Sequence, residues 1–275
     1  MKKILRRLGW VLAAALLLAA VFHVSNAGSR MRRALYGAAP GVTLEDRDVG
    51  YWLRAEVEEL VSRQAEELRQ EPRNAFFDRN TGEIYPEVQG RLVNVRGTVE
   101  AVMEAEKDSR VYLDMIYIDP EITASLLEAL DKPLGSFETS IGGGGGRAEN
   151  IRLATKSLDY YLLAPGQVFS FNRTVGPTTA ERGYKPAPII VRGSIVQGLG
   201  GGICQVSTTL FNAVDYAGLE VVERHKHSKP VGYVPKGRDA TVSWHLDFKF
   251  RNTTNRYVMI RAWTDWRISI TIMTH

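Results

Sequence analysis

The residue of this sequence whose type and position most favour chemistry is its single cysteine, Cys204. It follows a glycine-rich run, Gly198-Leu199-Gly200-Gly201-Gly202-Ile203, which lets the backbone turn sharply. From Val206 onward, apolar residues recur at helical spacing as far as Gly218, a residue type that commonly follows a helix C-terminus. The pattern predicts a helix over residues 204–217 that begins at the cysteine.

A thiol at the start of a helix ionises more readily than an ordinary thiol. Free N–H groups and the positive end of the helix dipole stabilise an anion there, and such placement lowers a cysteine pKa from about 8.5 to roughly 3.5–7.5. The same N–H groups can hold an oxyanion during acyl transfer, so Gly201, Gly202 and Gln205 are candidate substrate-binding residues. Papain-like peptidases share this layout. An inert, buried thiol is the alternative interpretation.

A nucleophilic thiol needs a base, and two histidines follow it in the segment Arg224-His225-Lys226-His227. Either His225 or His227 is a candidate general base, and Asp239 is a candidate for orienting the imidazole. A zinc site formed by Cys204, both histidines and His245 is a further alternative. Because no CxxC or HExxH spacing accompanies them, we expect no metal and no cofactor.

Several arginines are candidates for binding carboxylates of a substrate, because a guanidinium group pairs with a carboxylate through two parallel hydrogen bonds. We single out Arg224 and Arg238, which flank the histidines and Asp239, together with Arg182 and Arg192. For each of them, a surface charge without a ligand is the alternative.

The elements that must position these residues are predicted from periodicity and from turn residues. The whole chain is assigned to the α+β class. Helices are predicted over 53–69, 97–106 (with Thr98 as N-cap), 121–130, 147–163 and 204–217, a hairpin over 75–86, and strands over 111–118, 167–171, 187–192, 194–197, 240–251, 256–263 and 266–273. The strand over 111–118 is predicted to be mostly buried.

The chain is predicted to have four parts. Basic residues precede the apolar run Leu8 to Val24, so residues 1–28 are predicted to be a signal-anchor or a signal peptide, and 29–41 a linker. Residues 42–130 form a small α+β domain without His or Cys, and 131–275 a β-rich α+β domain containing the cysteine. The protein is therefore expected at the cell membrane, as a single-pass protein with an extracytoplasmic domain, or secreted to the cell wall.

The charge and the cysteine content argue against a nucleic-acid-binding protein and against a disulfide-rich protein. The sequence has 35 basic and 31 acidic residues, a net charge of +4, and no basic stripe interleaved with aromatic residues, so we expect no nucleic-acid partner. A single cysteine excludes an internal disulfide framework.

Residues 134–265 resemble the VanW family, named for its occurrence in vancomycin-resistance clusters. The resemblance is carried by a series of motifs in order: Phe137-Glu138-Thr139-Ser140, Arg147 with Asn150-Ile151-Arg152, Pro165-Gly166-Gln167-Val168-Phe169-Ser170-Phe171-Asn172, Val175-Gly176-Pro177, Gly183-Tyr184, Gly200-Gly201-Gly202-Ile203-Cys204-Gln205-Val206-Ser207-Thr208-Thr209, Glu223-Arg224-His225-Lys226-His227-Ser228, Tyr233-Val234-Pro235 and Gly237-Arg238-Asp239-Ala240-Thr241. The segment 87–94, with Asp78 and the two elements that follow it, resembles the peptidoglycan-binding domain often found ahead of VanW domains.

Some VanW domains are identified as peptidoglycan L,D-transpeptidases whose nucleophile is the cysteine of this motif. The resemblance therefore implies that Cys204 carries an acyl group taken from a stem peptide and that the product is a 3→3 cross-link. Two alternatives stay open from the sequence. One is a non-catalytic envelope protein that binds peptidoglycan or assists glycopeptide resistance, and the other is a cysteine peptidase or amidase acting on the same stems.

Overall fold

A computed structural model of the chain describes residues 26–191 and 194–275, which divide into two compact units. The first unit comprises residues up to Arg73 together with Val88–Glu121, and the second comprises Asn74–Glu87 together with Ile122–His275. The predicted membrane segment, Leu8 to Val24, lies outside the described residues. Within the described ranges, none of the helices has the length and apolar composition needed to cross a membrane.

The first unit packs two helices against short strands. Residues 26–36 are helical (α1), and they are followed by β1 (Thr43–Leu44), β2 (Arg47–Asp48), α2 (Arg54–Leu68), β5 (Gly90–Val93), α3 (Val95–Glu104), β6 (Arg110–Val111) and β7 (Met115–Ile118). Strands β2, β1 and β6 form one sheet, and β5 pairs with β7. The core is formed by small aliphatic side chains, among them Val57 and Val61 of α2 and Val99 and Val102 of α3. The predicted helix over 53–69 is confirmed as α2.

Two predictions in the first unit were wrong in detail, and the segment predicted as a linker contains a helix. The linker predicted over 29–41 is helical as far as residue 36. Helix α3 begins two residues before the predicted start, because the Asn94 side chain caps it by accepting from the N–H of Gly97, while Thr98 lies inside the helix and accepts from the N–H of Asp114. The strand predicted over 111–118 is two short strands, and Tyr117 on the second is 61% exposed rather than buried.

The second unit is built around a four-stranded antiparallel sheet in the order β8-β16-β15-β9. Its strands are β8 (Lys132–Ser140), β9 (Tyr161–Leu163), β15 (Val258–Thr264) and β16 (Arg267–Thr274). Alternate residues of β16, Ile268, Ile270 and Ile272, are fully buried on one face, as the two-residue period of a half-buried strand requires. They contribute to one hydrophobic core with α5 (Gly146–Leu158) and α7 (Ile203–Tyr216).

Smaller elements surround this core. The hairpin predicted over 75–86 is confirmed as β3 (Phe76–Phe77) paired with β4 (Ile84–Tyr85). The others are α4 (Ala124–Glu128), α6 (Phe171–Val175), the ribbon β11 (Pro186–Val191) with β12 (Ser194–Leu199), and the sheet β10 (Val168–Ser170), β14 (Lys249–Arg251) and β13 (Glu220–Glu223). The mixed α+β class is confirmed, and the helix predicted over 204–217 is present, one residue earlier, as Ile203–Tyr216.

Helix α7 is buried on every side along most of its length. Its residues from Gln205 to Val214 are all buried, and half of them are polar: Gln205, Ser207, Thr208, Thr209 and Asn212. Buried polar groups are stable only where they are hydrogen-bonded. All of these side chains except Ser207, whose hydroxyl has no partner in the described structure, form hydrogen bonds. Those of Gln205, Thr208 and Asn212 build the site described below.

Several predicted boundaries in the second unit were wrong. The helix predicted over 147–163 ends at Leu158, because Asp159 is extended and Tyr160 has a φ of 55°, and the chain then forms β9. The helix predicted over 121–130 is shortened to α4, which is capped by Thr123. Only β14 remains of the strand predicted over 240–251, since Asp247 accepts hydrogen bonds from Ser170, Asn172 and Phe248 and so bends the chain there.

Candidate active site

A tight glycine turn delivers Cys204 to the first turn of α7. Gly202 caps the helix with a φ of 110°, a left-handed conformation that favours glycine. A Cβ at Gly201 would lie 2.7 Å from the carbonyl oxygen of Pro188, so no larger residue fits. The buried side chain of Asn150 fixes the turn by donating to the carbonyl oxygens of Gly201 and Lys185.

Cys204 is partly exposed, and its sulfur faces the segment 241–242. Sγ lies 3.6 Å from Oγ1 of Thr241, and as a thiol it donates to the carbonyl oxygen of Val242 at 3.3 Å. The N–H groups of Ile203 and Gln205 donate to Gly200 and Gly202. No described residue accepts from the N–H of Cys204, which leaves that group for a ligand.

His227 and Asp239 complete the surroundings of the sulfur. Nδ1 of His227 lies 2.8 Å from Oδ2 of Asp239, and its side chain is 7% exposed. The same carboxylate oxygen accepts from the backbone N–H of His227 at 2.6 Å, which fixes the orientation of the residue. Asp239 occupies Nδ1 and so leaves Nε2 free. The ring is near enough to Cys204 for each group to shift the pKa of the other.

The pKa values of these three groups shift in directions that favour an ion pair. Burial is the largest influence on the Cys204 thiol and raises its pKa, but the nearby His227, with smaller contributions from the Val242 backbone and Thr241, lowers the pKa overall. Burial lowers the pKa of His227, but the nearby Cys204 and the hydrogen bond to Asp239 raise it overall. Burial likewise raises the pKa of Asp239, and the two hydrogen bonds from His227 lower it overall. The arrangement favours a thiolate beside an imidazolium, with a carboxylate behind it.

Side chains of α7 hold the Asp239 segment in place. Oγ1 of Thr208, which is fully buried, donates to the carbonyl oxygen of Ala240 at 3.1 Å and accepts from its N–H at 2.9 Å. One turn further, Asn212 donates to the carbonyl oxygen of Arg238 and accepts from its guanidinium group. The nucleophile and the carboxylate are thus fixed to the same helix.

The other candidate residues have different surroundings. Nε2 of His225 lies 3.0 Å from Oε1 of Glu223, away from the sulfur contacts described above. Hydrogen bonds from Lys249 and His225 lower the pKa of Glu223 to about 2. His245 lies in an exposed loop. In residues 26–191 and 194–275, no three His, Cys, Asp or Glu side chains are grouped closely enough to hold a metal ion.

The candidate substrate-binding side chains are engaged within the protein. Gln205, 1% exposed, donates to Thr139 and Ser140 and accepts from Arg147. Arg224 donates to the carbonyl oxygens of Asp239 and Gly237 and stacks on the ring of Phe211. Arg238 pairs with Asp215 at 2.7 Å.

Of the two other arginines, Arg182 donates to the carbonyl oxygen of Pro177, and Arg192 lies outside the described residues. Gly201 and Gly202 form the turn itself.

The sequence did not assign a role to four residues of the site: Thr241 and Val242, which contact the sulfur, Thr208, which holds Ala240, and Arg147, which binds Gln205. Thr208 lies four residues after Cys204, so helical spacing places it one turn further on the same face. The others are placed by tertiary structure. Arg147 and Thr241 stand in the family motifs quoted above, but nothing in their local sequence gives them a role in the site.

Comparison with a family model and with known proteins points to one family in each case. The model of the VanW-like protein family matches residues 146–273. The uncharacterized protein YoaR of Bacillus subtilis (strain 168) is 41% identical over 203 residues, covering 72% of this chain and 67% of YoaR. Vancomycin B-type resistance protein VanW of Enterococcus faecalis (strain ATCC 700802 / V583) is 35% identical over 113 residues, 38% of this chain and 41% of that protein. No solved structure matches. The chain belongs to the VanW-like family.

Proposed function

We propose that this protein is a cysteine acyltransferase that acts on the stem peptides of peptidoglycan and forms 3→3 cross-links, as an L,D-transpeptidase does. The observation that carries the proposal is the convergence of Cys204, His227 and Asp239 at the start of α7. This combination supplies a nucleophile, a base and a group that orients the base. Cys204 as a residue is partly exposed, although burial is the largest single influence on the pKa of its thiol.

The first half of the reaction forms a thioester. The Cys204 thiolate attacks the carbonyl carbon of the third residue of a stem peptide, and a C–S bond forms. The negative charge moves to the carbonyl oxygen, for which the N–H of Cys204 is a donor because no described residue accepts from it. The His227 imidazolium then gives its proton to the leaving nitrogen, the C–N bond breaks, and the terminal D-alanine departs as an amine.

The second half transfers the acyl group. A side-chain amine of a neighbouring stem attacks the thioester carbon, and its proton passes to Nε2 of His227. The C–S bond breaks, the thiolate returns beside the imidazolium, and a new amide bond joins the two stems. General acid and base catalysis by one positioned histidine contributes about 10²–10⁴ in rate. Water in place of the amine would give hydrolysis instead.

The choice of peptidoglycan as substrate rests on relatives and on the sequence. One relative carries vancomycin resistance in its name, and the motifs around Cys204 resemble VanW domains identified as transpeptidases. We extend the proposal to the rest of the chain: the N-terminal segment 1–28 associates it with the membrane, and the domain predicted over 42–130 binds peptidoglycan. The working domain then lies outside the cytoplasm, where its substrate is.

The experiment is to incubate the purified full chain with disaccharide-tetrapeptides and to identify the products by mass spectrometry. Cross-linked dimers that lack one D-alanine are expected, and none should form with Cys204→Ala. Trimmed monomers without dimers would replace the transferase with a hydrolase. A third outcome is a folded protein that reacts normally with iodoacetamide at Cys204 and still turns over no substrate. That result would support the alternative, a non-catalytic protein that binds peptidoglycan.

A further inference from the structure

Arg147, in the first turn of α5, carries a positive charge that no carboxylate of the described residues balances. Its Nε donates to the carbonyl oxygen of Gly142 at 3.1 Å, and its Nη2 donates to Oε1 of Gln205 at 2.6 Å. Both acceptors are neutral. By contrast, Arg152 on the same helix forms an ion pair with Glu149 at 2.7 Å. The guanidinium of Arg147 is therefore fixed in place but keeps its charge available.

The position of Arg147 relates it directly to the cysteine. Its partner Gln205 is the residue after Cys204, and a Cβ built on Gly202 would lie 3.2 Å from Cγ of Arg147. The side chain thus passes alongside the glycine turn that precedes the nucleophile. Both the Arg147 charge and the Cys204 thiolate also act on the pKa of Tyr233, which is raised chiefly by burial.

Arg147 is half-buried, and the glycine loop that its Nε contacts is exposed. Residues 142–145 are exposed, and a Cβ added at Gly142, Gly144 or Gly145 would meet no atom within 4 Å. The glycine run thus leaves one side of Arg147 clear, so a ligand can approach it.

We propose that Arg147 binds a free carboxylate on the substrate residue next to the carbonyl that Cys204 attacks. This inference rests on the proposed function and adds a substrate class to it: peptides with an anionic group within about one residue, roughly 3.5 Å of chain, of the bond that is broken. Arg224 does not serve this purpose, because its guanidinium group lies on the ring of Phe211 and its charge is offset by the nearby carboxylates of Asp239 and Asp215. Arg238 does not serve it either, because it pairs with Asp215. Arg147 is a specificity-determining residue and takes no part in the proton transfers.

The first test needs no enzymatic turnover. Cys204 is alkylated with iodoacetate, which carries a carboxylate, and with neutral iodoacetamide, and the ratio of the two rates is measured. Any change in the reactivity of the thiol itself cancels in this ratio. Arg147→Gln should lower the ratio by about 3- to 10-fold, the effect of one nearby charge at a protein surface, and 1 M NaCl should reduce the difference. Arg152→Gln, which removes the same charge from the same helix, should leave the ratio unchanged. Equal ratios for both variants would overturn the proposal, even if the protein turned over no peptide.

The second test identifies the source of the carboxylate. Tetrapeptide donors are compared that end in a free carboxylate or in an amide, with the side-chain carboxylate next to the scissile bond either free or amidated. The wild type should lose about 10- to 100-fold in kcat/KM when the carboxylate that Arg147 binds is amidated, and Arg147→Gln should no longer distinguish that pair. Amidation at the chain end or at the side chain tells the two sources apart. If the wild type used both amidated donors with the same kcat/KM as the free acids, Arg147 would have no role in recognition.

Discussion

Two nitrogens of His227 point at one oxygen of Asp239: Nδ1 at 2.8 Å and the backbone N at 2.6 Å. One carboxylate oxygen therefore fixes both the backbone and the ring of the histidine, and Nε2 remains available for proton exchange with the thiol. A ring held in this way keeps its proton-transfer geometry without further support.

We expect His227 rather than His225 to be the base. His227→Ala should lower the rate of cross-linking by about 10²–10⁴, because the thiol loses the group that takes its proton. His225→Ala is the matched control and should stay close to the wild type, since its imidazole is bonded to Glu223. The measurement is the initial rate with disaccharide-tetrapeptides. Equal losses for the two variants would contradict this assignment.

The reactivity of Cys204 should depend on pH in a way that reports the ion pair. Since the pKa of Cys204 is lowered, its alkylation by iodoacetamide should rise with pH to a midpoint below the ordinary value of about 8.5. In His227→Ala the midpoint should move upward, because burial then lacks its main opposing interaction. The same midpoint in both proteins would show that His227 does not influence the pKa of Cys204.

Asp239→Asn should change the alkaline side of the pH profile of the acylation rate. The carboxylate helps to raise the pKa of His227, so its removal should let the imidazolium lose its proton at lower pH. The decline of acylation rate at high pH then begins earlier in the variant. Asp46→Asn, at an exposed site in the first unit, removes one negative charge as a control and should not move this limb. The check is the rate of acylation between pH 5 and 10.

Thr208→Val tests the connection between α7 and the Asp239 segment. The substitution keeps the side-chain shape but leaves the N–H and carbonyl of Ala240 without their partner, at a cost of about 2–4 kcal/mol in the free energy of unfolding. Thr155→Val is a matched control, because the buried hydroxyl of Thr155 has no hydrogen-bond partner in the described structure. Thermal unfolding should separate the two variants by several degrees. Similar melting temperatures would argue against the connection.

Gly202→Ala should disturb the start of α7. A φ of 110° costs a residue with a Cβ about 1–2 kcal/mol, and that Cβ would lie 2.9 Å from Ile151. Both stability and the alkylation rate of Cys204 should fall. At Gly142 a Cβ meets nothing, so Gly142→Ala should have little effect on either measurement.

Local sequence patterns predicted the helix of the cysteine well, because its signals are local. A glycine turn, helical periodicity and a terminal glycine coincide between residues 200 and 218. By contrast, β8 was missed. It contains Pro133 and Gly135, which disfavour strands, and it becomes a strand through its pairing with β16. Long-range pairing of this kind leaves little trace in the residues themselves.

The residues of the site were also predictable where the signal is local and were missed where it depends on tertiary contacts. The sequence identified Cys204, both histidines and Asp239 as candidates but left the choice of histidine open. The structure differentiates the two: His225 is bonded to Glu223, and His227 to Asp239. Arg147 was missed as a functional residue because its relation to Cys204 runs through Gln205, 58 residues away along the chain.

The pairing of β8 with β16 also bears on when the thiol becomes reactive. Partners such as Glu138 and Ser269 are 131 residues apart in the chain, and α5, α7 and the His227 loop all lie between them. Closing so long a loop is slow compared with forming helices and hairpins. We expect the surroundings of the thiol to be complete only after this pairing, because the buried face of β16 packs in one core with α7, the helix that carries Cys204.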